Sequence, residues 1–333
     1  MWKSFCFLFK KDCRMMVSGK FFYVAFGSFL LYTLFIHFGY LHFMEDNAGM
    51  YSVYLYDPHK AYPQASPLMH PAASVEELYE ALAKDTGGIG VCVRDGRPEV
   101  ILYAAAPKAD RHRADYALSL LTSYRAYTPQ TVGENTLEMK QRKEITCELL
   151  FIEIAATGFL GTASVLFKEK QMGVIRVHAV MPLSKHLYVF SKMLLFLLSD
   201  MVFAVLMTLV NAGWKNAADI LPSVLIQTAV LSMIMALTGF VCTMIFKDFK
   251  QFSLAYLVTA LFTAAPVFLS ANTSIKMDWI VYHPFYHVYM GLKNAFFGMP
   301  VTNPVYYICA GCAVILLFGF AVAAFRREMG KEG

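Results

Sequence analysis

Charge is scarce in this chain. Only 16% of its residues are Asp, Glu, Lys or Arg and 57% are hydrophobic, where soluble domains carry roughly 25% charged residues. With a mean hydropathy of +0.48, that balance excludes an ordinary soluble globular protein. The pattern G-x-x-x-x-G-K-[ST] is absent, so the chain has no usual P-loop with which to cradle a nucleotide phosphate. No block of Lys and Arg interleaved with aromatics points to nucleic acid. The seven cysteines, Cys6, Cys13, Cys92, Cys147, Cys242, Cys309 and Cys312, are odd in number and irregular in spacing, which argues against a disulfide framework. Cys309 and Cys312 form a C-x-x-C inside an apolar run, where ordinary packing in a membrane helix is expected. His283 and His287 are four residues apart, but no Glu stands between them and Pro284 intervenes, so no zinc site is expected.

What the chain has instead is apolar length. Several runs reach the ~18 residues that a bilayer-spanning helix needs. We place six spans at about 21–43, 148–167, 188–211, 222–246, 252–271 and 305–325. Before the first, residues 1–20 carry Lys3, Lys10, Lys11, Arg14 and Lys20 against the single acid Asp12. Trp2, Phe5, Cys6, Phe9, Cys13 and Met16 recur there at helical spacing, the pattern of an amphipathic helix in the membrane interface. A secretory signal peptide is the competing reading, but the apolar core is too long and no small-residue cleavage site ends it.

Between the first two spans the composition changes. Residues 44–147 are polar and punctuated like a soluble domain. Residues 51–56 alternate like a strand, and 74–84 form a helix signal with Ser74 as N-cap and Glu77 at the capping-box position. Residues 89–94 and 100–103 are expected strands joined through Asp95-Gly96, and 109–124 an expected helix. The whole is expected to be a small α/β domain, with 134–148 running helically into the second span. Residues 272–304, broken by Pro284, Gly291, Gly298 and Pro300, are expected to form a re-entrant or amphipathic segment on one surface.

Orientation follows from the distribution of Lys and Arg. With the N-terminus inside, fifteen fall on inner segments: the five before the first span, Lys168, Lys170, Arg176, Lys185, Lys192, Lys247, Lys250, Arg326, Arg327 and Lys331. The short outer loops hold Lys215, Lys276 and Lys293. The α/β domain is exempt, because long domains translocate regardless of charge. Both termini are therefore expected in the cytoplasm and the α/β domain outside the cell membrane.

The most informative stretch is the charged island 165–192, which opens with Lys168, Glu169 and Lys170, passes Gly173, Arg176 and Pro182-Leu183-Ser184, and closes on Lys192. Phe167-Lys168-Glu169 with Gly173, then Pro182-Leu183-Ser184 and Lys192, resembles the signature loop of the type 2 permeases of ATP-binding-cassette (ABC) transporters. The layout is similar too: an interfacial helix, one span, an external domain, then five spans, with His283-Pro284-Phe285-Tyr286 resembling the family's external re-entrant segment. Ser191 departs from the pattern, standing where the family often has Gly. The resemblance implies the permease half of an exporter, paired with a second permease, a copy or a different chain. A separate cytoplasmic ATPase, which holds the ATP and Mg, would dock on the loop 168–187. No cofactor is then expected on this chain itself. Glu169, Lys170 and Arg176 are expected to meet the ATPase by charge, and Pro182 to end the loop's surface helix. Lys168, Lys170 and Lys185 serve equally well as ordinary positive-inside residues.

Two acids lie within spans. Asp200 sits in the middle of the third, where an ionised acid costs ~2.5–3.5 kcal/mol, so it should face a bundle interior, a dimer seam or a wet cavity. Glu153 lies inside the second. Both are candidates to line an export path for a drug, peptide, lipid or other amphipathic cargo; the alternative is an interhelical hydrogen bond. A second reading of the chain is a membrane-anchored sensor or assembly factor whose α/β domain binds a ligand or envelope partner. It would not need the amphipathic loop, and would more often carry an output domain after Arg327. A third, an intramembrane enzyme, would need paired catalytic groups at matching depth, for which only Asp200 and Glu153 are candidates. No catalytic constellation is visible in the α/β domain.

Overall fold

The computed structural model describes residues 2–40, 51–62, 68–84, 88–94, 96–103, 110–122, 137–175, 177, 184–271, 278–299 and 301–332. The chain divides into two units: His42–Glu134, and a helical unit made of Met1–Leu41 with Asn135–Gly333.

The smaller unit is built on a four-stranded sheet. Its strands are β1 (Val53–Tyr56), β2 (Met69–Pro71), β3 (Ile89–Arg94) and β4 (Arg97–Leu102), in the order β2-β1-β3-β4. β1 pairs in parallel with β2 and β3, while β4 returns antiparallel to β3. The period of two sorts the side chains between two cores. Val53, Ile89 and Val91 pack with Ala117 and Leu121 of one helix, Asp110–Thr122. Tyr54, Tyr56, Cys92 and Ile101 pack with Leu78 and Leu82 of the other, Val75–Lys84. Ser74 Oγ accepts the Glu77 amide at 3.1 Å, the expected cap, and the Glu77 carboxylate takes the amide of Ala73 at 2.6 Å, one residue before the usual box partner. Strand β2 was not expected; three residues are too few to show alternation. The unit ends at Glu134, not 147, because the next helix has already begun at Leu137.

In chain order with those two as α3 and α4, the helices of the larger unit are α1 (Trp2–Ser18), α2 (Phe21–Leu34), α5 (Leu137–Ala156), α6 (Thr162–Gln171), α7 (Lys185–Ala212), α8 (Trp214–Ile245), α9 (Phe249–Ala271), α10 (Pro284–Phe296) and α11 (Pro304–Glu332). A π-helical stretch, Phe35–Tyr40, continues α2, and another, Thr157–Gly161, joins α5 to α6. Among the described residues six segments are long and apolar enough to cross a membrane: Phe21–Tyr40, Met139–Gln171, Lys185–Ala212, Ala217–Ile245, Phe249–Leu269 and Pro304–Gly330.

Helix α8 is central. It packs along α7 and α11, and crosses the π-stretch after α5 where Gly239 meets the backbone of Phe159. A Cβ on Gly239 would lie 2.5 Å from the Phe159 carbonyl oxygen, so only glycine permits the approach. Small residues at crossings are how membrane helices gain contact without a hydrophobic drive between them. Helix α10, from the segment expected on a surface, buries Val288, Tyr289, Leu292 and Phe296 against the bundle. His287 Nε2 lies 2.8 Å from the Val281 carbonyl oxygen, and the His283 ring lies 4.2 Å from that of Phe262. Burial holds the His283 imidazole below its usual pKa.

Candidate functional site

Two adjacent residues at the end of α6 organise one end of the helical unit. Glu169 and Lys170 are about 100° apart on a helix of 3.6 residues per turn, so they face different neighbours. Glu169 is fully buried. Its Oε1 accepts hydrogen bonds from Lys192 Nζ of α7 at 2.8 Å and from Lys11 Nζ of α1 at 2.7 Å, and its Oε2 accepts the Tyr188 hydroxyl. Lys192, also fully buried, donates to Asp12 Oδ1 of α1 at 2.6 Å, and Ser191 Oγ donates to Asp12 Oδ2 at 2.8 Å. Two acids and two cations thus form a closed, locally neutral cluster joining α1, α6 and α7. Such a cluster gains little net stability over an apolar filling, but removing one member leaves a buried charge without compensation.

Lys170 faces the other way. Its Nζ pairs with Glu328 of α11 at 3.0 Å and donates to the carbonyls of Thr243 at 2.8 Å and Phe246 at 3.3 Å. It thereby caps the C-terminal end of α8, where unpaired carbonyls favour a cation. Tyr188 closes the arrangement by stacking on Phe325 of α11, ring centroids 4.3 Å apart and planes 5° from parallel. One end of α6 is therefore tied to α1, α7, α8 and α11.

This placement changes the expectation for the loop. Glu169 was expected to meet a partner by charge, but its carboxylate is enclosed on every side by Lys11, Lys192 and Tyr188. Lys192 does not sit at the mouth of the loop but about two turns inside α7, at the centre of the cluster. Lys170 is spent on α8 and α11. Among the described residues of the loop 168–187, Lys168, Gln171, Met172, Val177, Lys185 and His186 are exposed. Gly173, at φ +69°, makes the turn that ends α6, and Ser184 precedes α7 in extended conformation. Arg176 and Pro182 lie outside the described residues. Ser191, the departure from the family's glycine, supplies a hydroxyl to Asp12.

Asp12, Tyr188 and Glu328 were not singled out from the sequence. For Asp12 a signal existed. It stands at i+4 from Leu8 and i−4 from Met16, and those three are the buried stripe of α1. The expected face, Trp2, Phe5, Cys6, Phe9, Cys13 and Met16, included the buried Met16 but passed over Leu8 and Asp12 and counted Cys6, which is exposed.

The two acids within spans have different surroundings. Asp200 is buried and accepts the Ser232 hydroxyl at 2.6 Å, so it clasps α7 to α8. Glu153 is half-buried and accepts Ser28 Oγ at 2.9 Å and the Tyr32 hydroxyl at 2.7 Å, both from α2. It lines a groove of about 460 Å³ with Thr157, Leu160, Ser164 and, at one end, Lys168.

Six membrane-length helices define a multi-pass membrane protein, and the tied α6 end matches the loop on which the resemblance to transport permeases rests. The family model for the ABC-2 family transporter protein matches residues 122–325, and the chain belongs to that family. It is a membrane permease subunit of an ABC transporter. No curated protein matches it.

Proposed function

We propose that this chain is the permease of an exporter, and that the α6 end transmits the work of a separate ATPase to the spans. The observation that carries this reading is the adjacency of Glu169 and Lys170. Any force on the loop 168–187 reaches α1 and α7 through one residue and α8 and α11 through the next. A cytoplasmic ABC ATPase docks on the exposed Lys168, Met172 and Val177, while Glu169 and Lys192 position the loop from inside. Both termini and the loop are cytoplasmic, in the cell membrane, with the α/β unit on the far side. A second permease, a copy of this chain or a relative, completes the path. The groove beside Glu153 is apolar apart from that carboxylate, the Thr157 and Ser164 hydroxyls and Lys168 at one end, and the carboxylate suits an amphipathic cargo with a positive group.

The test is co-purification from native membranes in mild detergent, followed by a vanadate-sensitive ATPase assay. Wild type brings down a P-loop ATPase, and Met172→Glu with Val177→Glu loses it while the permease keeps its yield and elution volume. Absence of any ATPase with wild type, or its full retention by the double variant, overturns the proposal.

A further inference from the structure

A second groove, of about 530 Å³, lies on the other side of α1, bounded by α1, α2 and α7. Phe9, Cys13 and Met16 form its wall on α1, Phe26 faces them from α2, and Leu198 and Val202 line its length. Apart from the Cys13 thiol, the Met16 thioether and the Ser199 hydroxyl, its lining side chains are hydrocarbon. Along α7 it runs from Leu195 to Leu206, about 16 Å at 1.5 Å per residue, which is the depth of one leaflet of a ~30 Å hydrocarbon core. Beside it α1 and the turn into α2 carry Lys10, Arg14 and Lys20. All three are exposed, and their side chains have no ionic or hydrogen-bond partner among the described residues.

We infer that this groove holds one acyl chain of an anionic phospholipid whose phosphate is taken by Lys10, Arg14 and Lys20. The length fits a single leaflet, and the exposed cations lie on the helix and the turn that also carry part of the groove's wall. A neutral lipid would fill the groove but leave the cations unpaired. Asp12 of the buried cluster lies on the same helix, one residue from Cys13, so the lipid presses α1 against α7 where Asp12 meets Lys192. The inference needs only that the chain lies in a bilayer and is independent of the transport reading.

The test is native mass spectrometry of the purified full-length chain in mild detergent. It is titrated with dioleoyl phosphatidylglycerol, with dioleoyl phosphatidylcholine and with inorganic phosphate. Each surface cation strengthens attachment to an anionic lipid several-fold, so wild type should retain phosphatidylglycerol at least about tenfold better than phosphatidylcholine. Lys10→Ser, Arg14→Ser and Lys20→Ser together, all at exposed positions, should bring that ratio close to one. Filling the groove by Leu198→Trp with Val202→Trp should reduce retention of both lipids. Equal retention of the two lipids by wild type, an unchanged ratio in the triple serine variant, or full competition by inorganic phosphate would each overturn the inference.

Discussion

Lys192 joins two carboxylates that the chain supplies from α1 and α6, and that geometry sets how the site fails. Lys192→Ala should cost about 3–5 kcal/mol, because Asp12 and Glu169 would stay buried with only Lys11 between them. A fall in the detergent melting temperature would register it. Replacing the set together, Asp12→Leu with Glu169→Leu and Lys192→Met, should recover most of that loss, since an apolar filling competes well with a buried ion pair. The recovered protein should still fail to raise partner ATPase turnover; a triple variant as active as wild type would show that the charges do not transmit anything. Glu153 makes a contrasting case. Glu153→Gln keeps an acceptor for one of the Ser28 and Tyr32 hydroxyls and can donate its amide N–H to the other, so the fold should be spared. Efflux of a cationic amphiphile should fall about tenfold, a difference of ~1.4 kcal/mol, while an uncharged analogue is exported as before.

Close approaches add to the buried apolar clusters in holding the elements together. Gly239→Leu would drive a side chain into the backbone of Phe159, and overpacking of that kind costs about 1–3 kcal/mol. The same substitution at Gly319, where a Cβ would meet nothing within 4 Å, should leave the melting temperature unchanged. Ser232→Ala removes the partner of Asp200 and should cost about 1–3 kcal/mol by leaving a buried acceptor without a donor. The Gly319 control lies in the same bundle, so general sensitivity of the bundle to a leucine cannot mimic the Gly239 result.

For the molecule as a whole, the spans and every strand but β2 were legible because their patterns are local: an apolar run or an alternation of period two declares itself within a few residues. Ser74 with Glu77, and residues 89–94, needed no tertiary information. The cluster was legible only in part. Glu169 and Lys192 stand out as charges beside apolar runs, yet their enclosure depends on Asp12, paired with Lys192 across a sequence separation of 180, and no local pattern announces such a pairing. The smaller unit, with its own sheet and two cores, should fold when made alone as His42–Glu134. Circular dichroism showing mixed α/β structure with a cooperative melt would support this, and a non-cooperative trace would contradict it.

The bonds at the end of α6 also set an order of assembly. Asp12 leaves the ribosome long before Glu328, and both must be present before the charges on α6 and α7 are all matched. While synthesis is under way, Glu169 must wait for Lys192, and Lys170 for Glu328. A chain interrupted before α11 would carry Lys170 without its carboxylate and Tyr188 without the ring of Phe325. The unmatched end of α6 would then distinguish an unfinished permease from a complete one, giving the cell's quality control a feature to recognise before the subunit joins any partner.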